Sequence, residues 1–237
     1  MNENIKEIIK AFKVDLDSSK NQIMLKPIAR SFNNQAHQIN EAAEKIHELI
    51  KNAPYSNDNI VLKRNEIKEA FFSPFKPQLK NAQVFLSHSH ADRNKALEVK
   101  NYLENQTKRK VFVDSLFWDY KDDILNKLAE YDDISKIEDA FTLILRESLQ
   151  DMIEKCPYFV FLQSSNSVSF NQNLLKITYS AWIYEELKIA HSISEGYLTL
   201  SFEQEQGLEI KIENDISLFL KSFETITLKK LSQQIHS

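Results

Sequence analysis

The sequence predicts an α/β protein: a central parallel sheet flanked by helices, preceded by an α-helical N-terminal region. Three observations lead there. Beyond Lys80, short apolar runs rich in β-branched and aromatic residues alternate with amphipathic stretches at helical spacing, the pattern of strand–helix–strand units. The run "YFVFLQS" is apolar almost without interruption, as a strand covered on both faces must be. The strand ends read "SHSHAD", "DSLFW" and "QSSNS", so polar residues gather at the carboxyl ends, where parallel sheets bind ligands.

The elements are expected in this order. Ile5, Ile8, Ile9 and Phe12 recur at helical spacing, "DSSKNQI" offers N-caps for a second helix, and Pro27 ends or kinks it. Ile39, Ala42, Ala43, Ile46, Leu49 and Ile50 form an amphipathic stripe that closes near "NAPYSNDN", and a further helix is expected around Ile60–Phe72. The prolines of "SPFKPQ" favour an extended connection. They place a boundary between a helical region, residues 1–78, and an α/β domain, residues 79–237. In that domain strands are expected at "AQVFLS", "KVFVDS", "YFVFLQS" and "YLTLSF". Helices are expected over Ala91–Asn105, Asp123–Tyr131, Ile137–Glu154, Ser180–Ser192 and Asp215–Phe223.

Composition narrows the function. A formal net charge of −4 over 237 residues gives no basic face for nucleic acid. The longest apolar runs, such as "YFVFL", fall far short of the ~20 residues that a membrane helix needs, and the N-terminus lacks a signal-peptide core. Cys156 is the single cysteine; it cannot form an intrachain disulfide and fits a reducing cytoplasm. The two glycines, Gly196 and Gly207, form no G-x-G pair, which excludes a Walker A loop and a Rossmann fingerprint. A nucleotide would therefore be held by helix N-termini, hydroxyls and cationic side chains.

Three strand ends carry candidate chemistry. His88-x-His90-x-Asp92 resembles the opening of the metal motif of metallo-β-lactamase-like hydrolases, but Arg93 stands where that motif continues with histidine. The same residues read as a strand-to-helix turn give Ser89-x-x-Asp92, a capping box. At a helix N-terminus Ser and His side chains either cap the helix or contact an anion. Asp114 ends the second strand; it shapes the following loop or contacts ligand. In "SAWIYEELKIA" Ser180 is an N-cap, and Ile183, Leu187 and Ala190 form the buried stripe. Trp182 and Glu186, four apart, share a face beside that stripe. A ring there can stack on a flat heterocycle, and a carboxylate can stabilise positive charge on a sugar as a glycosidic bond breaks. The alternative is a core tryptophan and a surface glutamate.

Together these motifs resemble the bacterial TIR (Toll/interleukin-1 receptor-like) domain. "VFLSHSHADR" is similar to the family's first strand and loop, and "KVFVDSLFWDYKDDILNKL" to its second strand, BB loop and following helix. "CPYFVFLQSSNS" is similar to its fourth strand, and "SAWIYEEL" to the Ser-x-Trp-x-x-x-Glu-Leu helix. The resemblance covers residues 81–222. The BB loop here lacks glycine, and the spacer "VSFNQNLLKITY" is longer than usual.

The resemblance implies a flavodoxin-like fold and cleavage of NAD+ at the nicotinamide–ribose bond, giving ADP-ribose or a cyclic ADP-ribose-type signal. NAD+ is then substrate, and no further cofactor or metal is implied. Glu186 is the implied catalytic residue, with Trp182 beside it. Phe85, Ser87 and His88 line the nicotinamide and ribose side, Arg93 contacts phosphate, and Trp118 sits in or just after the BB loop. The family's setting implies anti-phage defence in the cytoplasm, self-association through the TIR domain, and a separate effector or sensor protein. The competing expectation is a TIR adaptor that catalyses nothing; the glutamate four residues after Trp182 favours the enzyme.

Overall fold

The computed structural model describes residues 9–26, 36–56, 59–72, 81–131, 138–195 and 213–236. In chain order they form β1 (Lys10–Asp15), α1 (Ser19–Gln22), α2 (Ala36–Lys51), β2 (Tyr55–Ser56), β3 (Asn59–Ile60), α3 (Arg64–Phe72) and β4 (Ala82–His88). After a 3-10 turn at His90–Asp92 come α4 (Arg93–Thr107), β5 (Lys110–Val113), α5 (Ser115–Leu128), α6 (Glu138–Lys155) and β6 (Tyr158–Gln163). Then follow β7 (Ser169–Phe170), β8 (Lys176–Thr178), α7 (Ala181–Ser194), β9 (Asn214–Asp215), α8 (Ser217–Ser222), β10 (Glu224–Thr225) and α9 (Leu228–His236). The chain divides into two compact units, one of residues 1–28, 82–114 and 150–237, the other of residues 29–81 and 115–149.

The first unit holds a five-stranded parallel sheet in the order β10-β1-β6-β4-β5. β1 corrects the helical reading of the N-terminal region. Its residues pair with β6 from Lys10↔Tyr158 to Asp15↔Gln163 and with β10 at Phe12↔Glu224 and Lys13↔Thr225. Phe12 and Val14 are buried and alternate with Lys13 and Asp15, a period of two that short apolar spacing alone does not separate from a helical one. Pairing on both sides then decides for strand. Ile5 and Ile8 lie outside the described residues, as do Pro27 and the expected strand "YLTLSF".

β4 sits between β5 and β6. The chain leaves β4 for β5 on one side and returns past it to β6 on the other, so the winding reverses between β4 and β6. Ligand crevices of open α/β sheets open at such a reversal, at the carboxyl ends of the strands. Phe85 of β4 lies 5.7 Å from the rings of both Phe112 and Phe159, and Phe223 meets Phe159 edge-on at 5.6 Å.

Helices cover the sheet. α4 packs on β4 and β5 and against α9, whose Leu228, Leu231, Ser232 and Ile235 are buried at helical spacing. α7 packs on β1 and β4 and beside α8, where Tyr184 and His191 meet Phe219 at 5.5 and 5.4 Å. The antiparallel strands β7-β8-β9 form a small second sheet.

Among the described residues the second unit holds three helices, α2, α3 and α5, the start of α6, and the β2–β3 pair. α2 turns Ala42, Ala43, Ile46 and Ile50 inward and packs against α3 and α5. Phe71 meets Phe141 edge-on at 5.8 Å, and Arg64 forks onto Glu147 with contacts of 2.6 and 3.0 Å. α5 starts at Ser115, directly after Asp114. The loop expected between the second strand and its helix is therefore not formed. "LFW" already belongs to the helix. Among the described residues no helix is long and apolar enough to cross a membrane.

Candidate functional site

β4 ends in Ser87 and His88, both buried. The His88 Nε2 lies 2.9 Å from Asp114 Oδ1, and the His88 backbone N–H donates to Asp114 Oδ2 at 3.4 Å. On the other side of the ring Nδ1 faces the Ser89 carbonyl at 2.6 Å. Nδ1 is thus within hydrogen-bond distance of a carbonyl, while Nε2 lies at ion-pair distance from the Asp114 carboxylate without the geometry of a hydrogen bond. Burial is the largest single influence on His88 and pulls its pKa down. The Asp114 charge and hydrogen bond, the Ser89 carbonyl and the Asp92 charge together outweigh it, so the pKa is raised above the ordinary histidine value.

Asp92 ties neighbouring strand ends together. It is buried; its Oδ2 accepts from Ser164 Oγ, and its Oδ1 accepts from Asn166 Nδ2 at 2.9 Å, with Lys95 Nζ 3.9 Å away. Asp17, just past β1, accepts the Ser165 backbone N–H at 2.8 Å and lies 3.6 Å from Lys95. The Ser165 N–H, ahead of the Lys95 charge, holds the Asp17 carboxyl below its usual range. The loop after β6 is thereby fastened to the ends of β4 and β1. The capping box expected at Ser89-x-x-Asp92 is not made: the Asp92 N–H donates to the Ser89 carbonyl at 2.8 Å, and neither side chain caps the helix. Asp92 spends its oxygens on the β6 loop instead.

His88, His90 and Asp92 do not converge. His88 faces Asp114, Asp92 faces Ser164 and Asn166, and His90 is exposed. Among the described residues no group of three His, Cys, Asp or Glu side chains is arranged to hold a metal ion.

α7 presents Glu186 to the interior. Ser180 Oγ accepts the Ile183 N–H at 3.2 Å and fixes the helix start. Glu186 then falls in line with Ile183, Leu187 and Ala190, and its side chain is 0% exposed. Trp182, four residues earlier, is half-buried. Ser87 shares its sheet face with Phe85 and Phe159, the face that Phe223 covers beside α8. α7, packed against α8, lies over this face, so Glu186 and Ser87 are buried in the same layer. Ser87 Oγ has no hydrogen-bond partner among the described residues.

The other expected residues lie as follows. Phe85 is a core ring in the Phe112–Phe159 stack. Arg93 is the first residue of α4 and half-buried. The Trp118 backbone is helical, inside α5; its side chain lies outside the described residues. Asp17, Ser164 and Asn166 complete the strand-end network. "QSSNS" marks the last two in the sequence, whereas Asp17 is hidden by the helical reading of the strand before it.

Compared with protein-family models, with curated proteins and with solved structures, the chain matches none.

Proposed function

We propose that the chain is a TIR-type enzyme that cleaves the nicotinamide–ribose bond of NAD+ to ADP-ribose or a cyclic ADP-ribose-type product. The observation that carries the reading is Glu186, a carboxylate with no solvent exposure on an otherwise apolar helix face, against the strands whose carboxyl ends hold Ser87 and His88. Taking a carboxylate out of water costs several kcal/mol, and buried ionisable groups concentrate at functional sites. In the reaction Glu186 would hold ribose hydroxyls and, as the carboxylate, stabilise the oxocarbenium-like transition state, an attraction that a low local dielectric enlarges. His88, held between Asp114 and the Ser89 carbonyl, fixes the end of β4 next to Ser87. Cytoplasmic anti-phage signalling through a separate effector is the setting this activity fits.

The test is NAD+ turnover by the purified chain at high concentration, with nicotinamide and nucleotide products separated by chromatography. Glu186→Gln runs beside it, with circular dichroism to show an intact fold. Nicotinamide release lost in the variant supports the enzyme. Turnover unchanged in Glu186→Gln overturns the assignment of the residue. No turnover by either protein moves the weight to a non-catalytic TIR adaptor.

A further inference from the structure

The outer side of β5 is where the sheet could take up a further strand. β5 ends the order β10-β1-β6-β4-β5, and among the described residues no strand pairs with its far side. Its run "VFV", Val111–Val113, is apolar and favours extended structure. An open edge of that kind is a template for a strand of another chain. The register tells which backbone groups point outward. The Asp114 N–H donates to the Leu86 carbonyl of β4 at 3.2 Å. Successive residues of a strand present their N–H and C=O groups to opposite sides, so Phe112 also turns to β4 and Val111 turns to the edge. Both outward groups of Val111 are nevertheless taken. Glu104 Oε1 accepts its N–H at 3.0 Å, and Lys100 Nζ donates to its carbonyl at 2.5 Å. Lys100 and Glu104, four apart on α4, also pair with each other at 2.7 Å. The Arg109 N–H, one outward position earlier, donates to Thr107 Oγ1 at 3.1 Å, and that hydroxyl donates to the Leu103 carbonyl at 2.7 Å.

We propose that Lys100 and Glu104 are an edge guard: their ammonium and carboxylate occupy the carbonyl and N–H that a further strand would use, and keep β5 from pairing with an extended segment of another chain. Two features carry this. The connection from α4 to β5 spans two residues, Lys108 and Arg109, with Lys108 left-handed at φ 59°, and so lays the last turns of the helix along the strand. The two side chains are drawn down to 15% and 23% exposure, where an ion pair serving its helix alone would stay in water. A lysine by itself would meet the carbonyl and leave the N–H open; the pair meets both. The proposal stands independently of the enzymatic reading.

The experiment compares the full chain with the double variant Lys100→Ala/Glu104→Ala, which removes both polar ends and keeps the helix propensity. Each protein, at about 100 μM, is held at the urea concentration that unfolds the same small fraction, so that a difference in stability does not enter. Thioflavin T follows aggregation, and hydrogen exchange in the aggregate identifies the paired amides. The expected result is a lag time severalfold shorter in the double variant, with Val111 and Val113 protected in its aggregate. A variant as slow to aggregate as the wild type overturns the proposal, and so does an aggregate in which these amides exchange freely. A second measurement needs no variant. In the native wild type the Val111 amide, although on the outer edge, is expected to exchange as slowly as that of Phe112, which faces β4. Free exchange at Val111 overturns the guard.

Discussion

His88 Nε2 and Asp114 Oδ1 lie 2.9 Å apart with both side chains withdrawn from solvent, which makes the junction of β4 and β5 a buried ion pair whenever His88 is protonated. Because the folded-state pKa of His88 lies above the ordinary 6.5, the stabilisation it brings is complete below that value and is lost as pH rises through the raised folded value. Asp114→Asn keeps the shape and removes the charge, at a cost of about 3 kcal/mol. The stability gap between wild type and variant, from urea unfolding at pH 5.5 to 9, is expected to be widest at acid pH and to narrow on the alkaline side. A gap independent of pH would show that His88 is neutral throughout.

Asp92 joins the ends of β4 and β6, so its loss is felt in another loop. Asp92→Ala leaves Ser164 and Asn166 without their acceptor, costing about 1–3 kcal/mol. Hydrogen exchange should speed up at Asn166 and Ser167, remote in sequence, and leave α9 amides changed only by the global loss. Unchanged protection in the loop would mean that the backbone bonds within Ser164–Val168 suffice.

Cys156 is buried, its Sγ 3.8 Å from the Ala82 carbonyl, and burial pushes the thiol up to about 12 against the opposing Lys155 charge. The thiolate is the reactive form. In native buffer at pH 8 the single cysteine should resist thiol reagents, and labelling across a urea gradient should follow the unfolding curve. Rapid labelling of the native protein would place Cys156 near solvent.

Lys108 ends α4 in the left-handed conformation, φ 59°, its N–H bonded to the Glu104 carbonyl at 3.0 Å. Glycine takes this C-terminal position without the side-chain penalty. Lys108→Gly should raise stability by about 1 kcal/mol, read as a higher urea midpoint with unchanged slope.

Much of the sheet was legible because buried parallel strands announce themselves: "AQVFLS", "KVFV" and "YFVFLQ" coincide with β4, β5 and β6. β1 was not, since two buried residues, Phe12 and Val14, cannot distinguish a period of two from a helical turn when isoleucines precede them. The partners that decide the matter lie at Tyr158–Gln163 and Glu224–Thr225, far along the chain. The site divides in the same way. His88 and Asp114 are polar breaks after apolar runs and stand out, as does Glu186 by its spacing from Trp182. Phe85 belongs to the core because alternation turns it onto Phe112 and Phe159, a fact of register that composition does not carry. The helical start at Ser115 escaped because "DSLFWDY" mixes a cap-forming serine with bulky residues common in loops and helices alike.

The place of β1 also bears on how the molecule is made. A ribosome releases earlier residues first, yet β1 pairs with β6 and β10, which follow it far along the chain. Until residues near 163 emerge, the nascent chain carries an apolar strand with no template. β4 and β5 can meet early; the middle of the sheet closes only when β6 has emerged. Such long-range closure slows folding, and it leaves β1 unpaired and open to capture by chaperones until β6 arrives.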